Sequence, residues 1–203
     1  MNIRRFLAIV AALATLSVTA MAVPASAQAE PTLADILDAQ GGGTDRNWYD
    51  FDILAAGVDA AGLSGALDDP SADLTVFIPN DRAFQALVAD LYGWWYWFKD
   101  EATILNKLVE LEASAPGTLQ TVILYHAVPG EITSDVALNV PRGTELTTLQ
   151  GGTITVYPFW RTAVLADQDR NDLNPVLVRS KLDIQASNGI AHGISLVLRP
   201  TDL

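Results

Sequence analysis

The chain contains no cysteine among its 203 residues. No disulfide can therefore brace the fold, and the cysteine that a lipid-anchored lipoprotein needs is missing. Stability must come from core burial, which a segment of this length supplies without covalent staples. Positive charge is also scarce, with twelve Lys and Arg against twenty-four Asp and Glu for a net charge of −12. Affinity for nucleic acid and for anionic lipid comes largely from Lys and Arg, so neither is an expected partner. There are only two histidines, and no Asn-x-Ser/Thr acceptor for N-glycosylation occurs. Apolar residues are plentiful at 50%, beside 18% charged, a balance that folds into a packed core.

The amino terminus has its own composition. Met1 to Arg5 is a short basic head, Phe6 to Val18 is almost wholly apolar, and Ala25-Ser26-Ala27 has the small-x-small form that signal peptidases accept. Residues 1–27 read as a signal peptide and 28–203 as the mature chain, which is expected to be secreted or periplasmic. Removing Arg4 and Arg5 with the leader leaves ten basic and twenty-four acidic residues, a net −14. No second apolar run approaches the roughly 20 residues that span a bilayer, so no integral membrane segment is expected in the mature chain.

Leu33, Ile36 and Leu37 form a helical stripe behind Thr32, a possible cap, and Phe51, Leu54, Ala55, Val58 and Ala61 form another that stops at Gly62. Leu74–Ile78 is β-rich and ends at Pro79, with Asn80 placed to cap a helix through Phe84, Leu87, Val88 and Leu91. Further helices are predicted over 102–112 and 118–125, and a short one capped by Ser134, after a turn at Val128-Pro129-Gly130. Beyond them, strands are expected at 145–149, 153–157, 162–166, 175–178, 182–186 and 190–198, with Asn188-Gly189 as a hairpin turn. A helix-rich first half leading into a strand-rich second half, without βαβ alternation, indicates an α+β fold in one domain.

Three passages carry a family resemblance. Thr75-Val76-Phe77-Ile78-Pro79-Asn80-Asp81-Arg82-Ala83-Phe84 resembles the first signature block of fasciclin-like (FAS1) domains, and Leu124-Tyr125-His126-Ala127-Val128-Pro129-Gly130 resembles their central Tyr-His block. Ser187 to Leu198, an Asn-Gly turn followed by a strand with His192, resembles the second signature block. Order and spacing agree over about residues 31–200. The resemblance implies a wedge-shaped β-sandwich covered by helices, in secreted or surface proteins that mediate adhesion and are not generally enzymes. It also implies a second class of function, since some relatives bind carotenoids.

Asp81 and His126 are the polar members of the first two blocks, and a carboxylate–imidazole bond between them is the expected structural pair. No Gly-x-Ser-x-Gly is present to supply a nucleophile, so no catalytic residue is assigned. His192 is expected to be a hydrogen-bonded strand histidine, and no metal site is assigned. Asp167, Asp169 and Asn171 alternate as at the start of an EF-hand loop, but Asp172 stands where that loop needs Gly and Val178 where it needs Glu. Weak extracellular calcium binding is the most that this loop is expected to offer. Arg142-Gly143-Thr144 lacks the aspartate of an integrin-binding tripeptide and is assigned to a turn.

Tyr92, Trp94, Trp95, Tyr96, Trp97 and Phe98 are the remaining candidates. Rings this close in sequence cannot all face inward from a helix or strand. The segment is either a lid over the domain's own core, a contact surface for a protein, or a platform for an apolar ligand. The first function expected is thus a non-enzymatic adhesion or surface-interaction domain whose partner is an extracellular or surface protein. The alternative is a carrier of an apolar small molecule such as a carotenoid.

Overall fold

The computed structural model describes residues 30–40 and 43–202; the leader assigned to 1–27 lies outside the described residues. Helix α1 (Leu33–Gln40) starts at a reciprocal cap, in which Thr32 Oγ1 accepts from the Asp35 N–H at 3.2 Å and Asp35 Oδ2 accepts from the Thr32 N–H at 3.0 Å. Helices α2 (Asp52–Ala60) and α3 (Ser64–Leu67) lead to strand β1 (Leu74–Pro79). Proline ends β1, and Asn80 caps α4 (Asp81–Tyr92) by accepting from the Ala83 N–H at 3.0 Å. A 3-10 turn (Trp94–Phe98), α5 (Glu101–Ser114) and α6 (Thr118–Tyr125) complete the helical half.

Strand β2 (Ala127–Pro129) and helix α7 (Ser134–Asn139) precede β3 (Thr144–Thr147), β4 (Thr153–Phe159), β5 (Thr162–Ala166), β6 (Ile184–Ala186) and β7 (Gly189–Ile194). Two sheets result, with orders β2-β1-β7-β6 and β3-β4-β5. β1 and β7 run parallel, from Leu74 opposite Gly189 to Pro79 opposite Ile194, and the other pairings are antiparallel. Both central strands are buried along their whole length, which is why they read as nearly unbroken apolar runs.

β1 divides its side chains between two cores. Val76 and Ile78 pack with Leu33, Phe51, Leu54 and Leu87 beneath the helices, while Phe77 packs with Ile154, Val156, Leu165 and Ile194 between the sheets. The architecture is an α+β sandwich with α1 to α6 against one face of the four-stranded sheet and α7 against the three-stranded one. No helix among the described residues is long and apolar enough to cross a membrane.

Four local expectations change. Val128 pairs within β2, so the turn begins only at Gly130, whose φ is +87°. Residues 175–178 make two isolated bridges, Val164 with Val176 and Leu177 with Ile194, in place of a continuous strand. Thr133, one residue before Ser134, caps α7, and the Ser134 hydroxyl donates instead to Asp183. Ala186 pairs with Gly189, which makes Ser187-Asn188 the turn pair and Gly189 the first residue of β7. A Cβ on Gly189 would lie 2.1 Å from the Leu74 carbonyl oxygen, so close approach of β1 demands glycine there. Asn188 is a clasp: its Oδ1 accepts from the Leu33 N–H at 2.9 Å, and its amide donates to the carbonyls of Leu67 at 2.7 Å and Asp69 at 3.0 Å.

Candidate functional site

The aromatic segment follows directly from the end of α4. Gly93, at φ +116°, turns the chain, and a Cβ there would collide with the Trp95 ring at 2.5 Å. The five residues that follow close into a 3-10 turn pinned from below by Gln85, which is buried on α4. Its amide nitrogen donates to the carbonyls of Tyr96 and Trp97 at 3.3 Å each and of Lys99 at 3.1 Å. Buried polar groups are costly unless satisfied, and here one side chain satisfies three carbonyls of an otherwise irregular segment.

The six rings divide. Tyr92 and Tyr96 are half-buried against the helical core, whereas Trp94 (68% exposed), Trp95 (52%), Trp97 (39%) and Phe98 (77%) face solvent. The outward rings are ordered by one another, since Trp94 meets Phe98 edge-on at 5.8 Å and the Arg82 guanidinium stacks over Trp97 at 4.6 Å. Trp94 and Trp97 also form one wall of a groove of about 390 Å³, whose other walls include Leu87, Leu173, Leu196 and Arg199.

The far end of this groove is charged. Arg199, buried in the chain's final segment, reaches Asp90 Oδ2 at 2.9 Å and Asp169 Oδ2 at 3.6 Å and also binds Asp172. Its backbone N–H donates to Asp167 Oδ2 at 2.9 Å, and Asp169 Oδ1 accepts from the Asn171 N–H at 3.0 Å. The loop read as a weak calcium site at Asp167, Asp169 and Asn171 thus has a guanidinium among its carboxylates. Burial, chiefly, pushes Asp167 up to about 6.

The expected bond between Asp81 and His126 is not formed. His126 Nε2 accepts from the Leu198 N–H at 3.0 Å, which leaves Nδ1 to donate to the Val122 carbonyl at 2.7 Å. Complete burial holds this imidazole neutral and lowers its pKa to about 4. His192 takes the opposite tautomer, Nδ1 accepting from the Asp183 N–H at 3.2 Å and Nε2 donating to the Ile132 carbonyl at 2.8 Å. Burial lowers its pKa too. Each imidazole therefore joins separate segments of backbone and has no nitrogen left for proton transfer.

Asp81 turns instead toward the segment before α2, where its Oδ1 accepts from the Ile53 N–H at 3.0 Å. Around it gather Asp45, Asp50, Asp52 and Glu101, none of which was singled out in the sequence. Asp50 shares one triad with Asp45 and Glu101 and another with Asp52 and Asp81, the carboxylate oxygens of each triad lying within 4.8 Å of one another. Desolvation first, and then Asp50, raises Asp81 to about 8; desolvation likewise raises Glu101. The available sequence signal was the acid run Asp45-x-Asn47-x-x-Asp50-x-Asp52, whose partners at 81 and 101 only the fold supplies.

The sandwich thus spends both histidines on backbone and carries four outward aromatic rings together on one turn held by Gln85. The family model of the Fasciclin domain matches residues 49–200, and the chain belongs to that family. A solved FAS1 domain pair from the insect cell adhesion molecule Fasciclin I is similar in fold, with a TM-score of 0.59 at 15% identity. The match covers 84% of this chain and 51% of that one, so this chain spans about half the length of that structure. No curated protein matches the chain.

Proposed function

We propose that the protein is an exported, non-enzymatic module for adhesion or surface interaction, and that it meets an extracellular or surface protein through Trp94, Trp95, Trp97 and Phe98. The carrying observation is the exposure of these four rings on a turn that Gln85 holds fixed. Trp is enriched at binding hot spots because a large ring removes much apolar area from water at little conformational cost, and a preset turn lowers that cost further. The spent state of both histidines and the absence of a nucleophile motif support a non-enzymatic role. Export rests on the leader read at 1–27. The test is retention of the host's surface proteins or matrix by the immobilised protein, compared with the Trp94→Ala, Trp95→Ala, Trp97→Ala triple variant. Loss of retention in the variant at unchanged melting temperature supports the reading, and equal retention overturns it.

The groove beside Trp94 and Trp97 favours a second reading, in which an apolar small molecule such as a carotenoid lies along the rings. At about 390 Å³ it falls within the range of small-molecule sites. Protein purified from its native host would then carry visible absorbance that the Trp94→Ala, Trp97→Ala variant lacks. A colourless native preparation that still binds surface proteins decides for the first reading.

A further inference from the structure

We propose that Asp45, Asp50, Asp52, Asp81 and Glu101 form a binding site for a hard divalent cation, with calcium the ion their chemistry fits. Asp52, Asp81 and Glu101 are the first residues of α2, α4 and α5, and Asp45 and Asp50 lie on the loop that runs into α2. Three helix starts and one loop thus deliver five carboxylates to one place, with Asp50 common to both triads.

An acid at the start of a helix has an ordinary explanation, because backbone N–H groups there welcome negative charge. Backbone donors engage only one oxygen of Asp81 and one of Glu101. Asp81 Oδ1 accepts from Ile53 and Glu101 Oε2 accepts from the Asp45 N–H at 2.6 Å. The other oxygens, Asp81 Oδ2 and Glu101 Oε1, are buried without a hydrogen-bond partner on side chains that are 0% exposed. Asp50 Oδ1 is buried without a partner as well. None of the four salt bridges among the described residues involves Asp45, Asp50, Asp81 or Glu101. A buried carboxylate oxygen with neither donor nor counter-charge costs several kcal/mol, and a multivalent cation removes that cost at several such oxygens together.

The donor set selects the ion. All five groups are carboxylates, with no histidine or cysteine among them, which disfavours zinc and suits an oxygen-seeking cation. Calcium binds oxygens at about 2.3–2.6 Å in flexible geometry, so ligands on opposite sides of one ion lie roughly 5 Å apart. The oxygens of each triad, all within 4.8 Å of one another, are compatible with that. The loop carrying the exposed Asp45 gives an ion access from solvent.

The site shares no residue with the aromatic turn, so its test is independent of the function proposed above. The purified chain is stripped with EDTA and titrated with calcium, bound ion being counted by equilibrium dialysis and stability followed by thermal melting. One calcium per chain is expected, with a dissociation constant at or below about 1 mM and a rise in melting temperature. Asp50→Asn should weaken binding by about tenfold or more, and Asp167→Asn should leave it unchanged. If Asp50→Asn does not fold, Asp45→Asn, at an exposed position, is expected to weaken binding in the same direction. Absence of bound calcium and of any melting shift at roughly 10 mM, well above the weakest extracellular calcium modules, overturns the proposal. So does binding that the folded variant leaves intact.

Discussion

Asp90, Asp169 and Asp172 gather around the guanidinium of Arg199, with Asp167 on its backbone N–H, whereas Asp45, Asp50, Asp52, Asp81 and Glu101 gather where three helices begin. The first group contains an alternating Asp-x-Asp-x-Asn run that resembles a calcium loop, and a residue near the far end of the chain supplies its positive charge. The second has no such spacing, and among the described residues no salt bridge reaches its Asp45, Asp50, Asp81 or Glu101. Local spacing is therefore a poor guide to which acids await an ion. What decides is whether the fold delivers a cationic side chain, and Arg199 can serve only one of the two places.

The largest expected effect comes from removing that cation. Arg199→Met leaves the buried Asp169 uncompensated and should destabilise the protein by about 3–4 kcal/mol in urea unfolding, even though the half-exposed Asp90 contributes little. A loss below about 1 kcal/mol would mean that the first cluster does not depend on its guanidinium. Calcium provides the converse. At about 100 times its dissociation constant it should add about 2.7 kcal/mol, and by the same amount in the Arg199→Met protein, since the clusters share no residue.

Proton linkage gives a smaller effect. Asp167 has a folded pKa raised to about 6 from 3.8, so the folded state binds the extra proton and the stability this confers is lost as pH rises from about 4 through 6. Asp167→Asn should therefore gain on the wild type across that window, by up to about 2 kcal/mol after discounting for partial exposure. His126 has the opposite sign. Its folded pKa is lowered to about 4, so its contribution is complete above the unfolded value of 6.5 and is lost as pH falls toward 4. Because His126 titrates in both proteins, parallel unfolding curves at pH 4, 5, 6 and 7 isolate Asp167.

The smallest effect on stability is expected where the groove leaves the Arg199 cluster. Trp94→Ala with Trp97→Ala should shift unfolding by about 1 kcal/mol, since Trp94 is mostly solvated and Trp97 partly so. A loss of several kcal/mol would make the turn a structural lid and assign the groove to the core.

Most of the fold was legible in the sequence because its signals are local. Thr32 and Asn80 cap helices through atoms three residues away, and β1 announces itself by an apolar run closed with Pro79. The misreadings arose where a distant contact overrides a local preference. Asn188-Gly189 resembles a two-residue turn, yet Asn188 holds Leu33, Leu67 and Asp69, and Gly189 exists to let Leu74 approach. The same holds for the candidate residues. That aromatics so crowded could not all be buried followed from geometry alone, but that Tyr92 and Tyr96 turn inward while four rings turn outward depends on the carbonyls Gln85 chooses to bind. Asp81 and His126 were paired because both are polar members of the motifs; in the fold each reaches different backbone groups.

The parallel pairing of β1 with β7 also orders events in time. Leu74 meets Gly189 more than a hundred positions later, so the central seam of the four-stranded sheet is among the costliest contacts to close and cannot be rewarded early. A chain emerging amino end first displays β1 with its parallel partner still unmade, and the helices gather against a sheet that lacks its middle. Completion waits for Gly189 to Ile194. Until that short segment is available β1 has no partner on this side, and Phe77 meets Ile194 in one core and Val76 meets Ala191 in the other only across this seam.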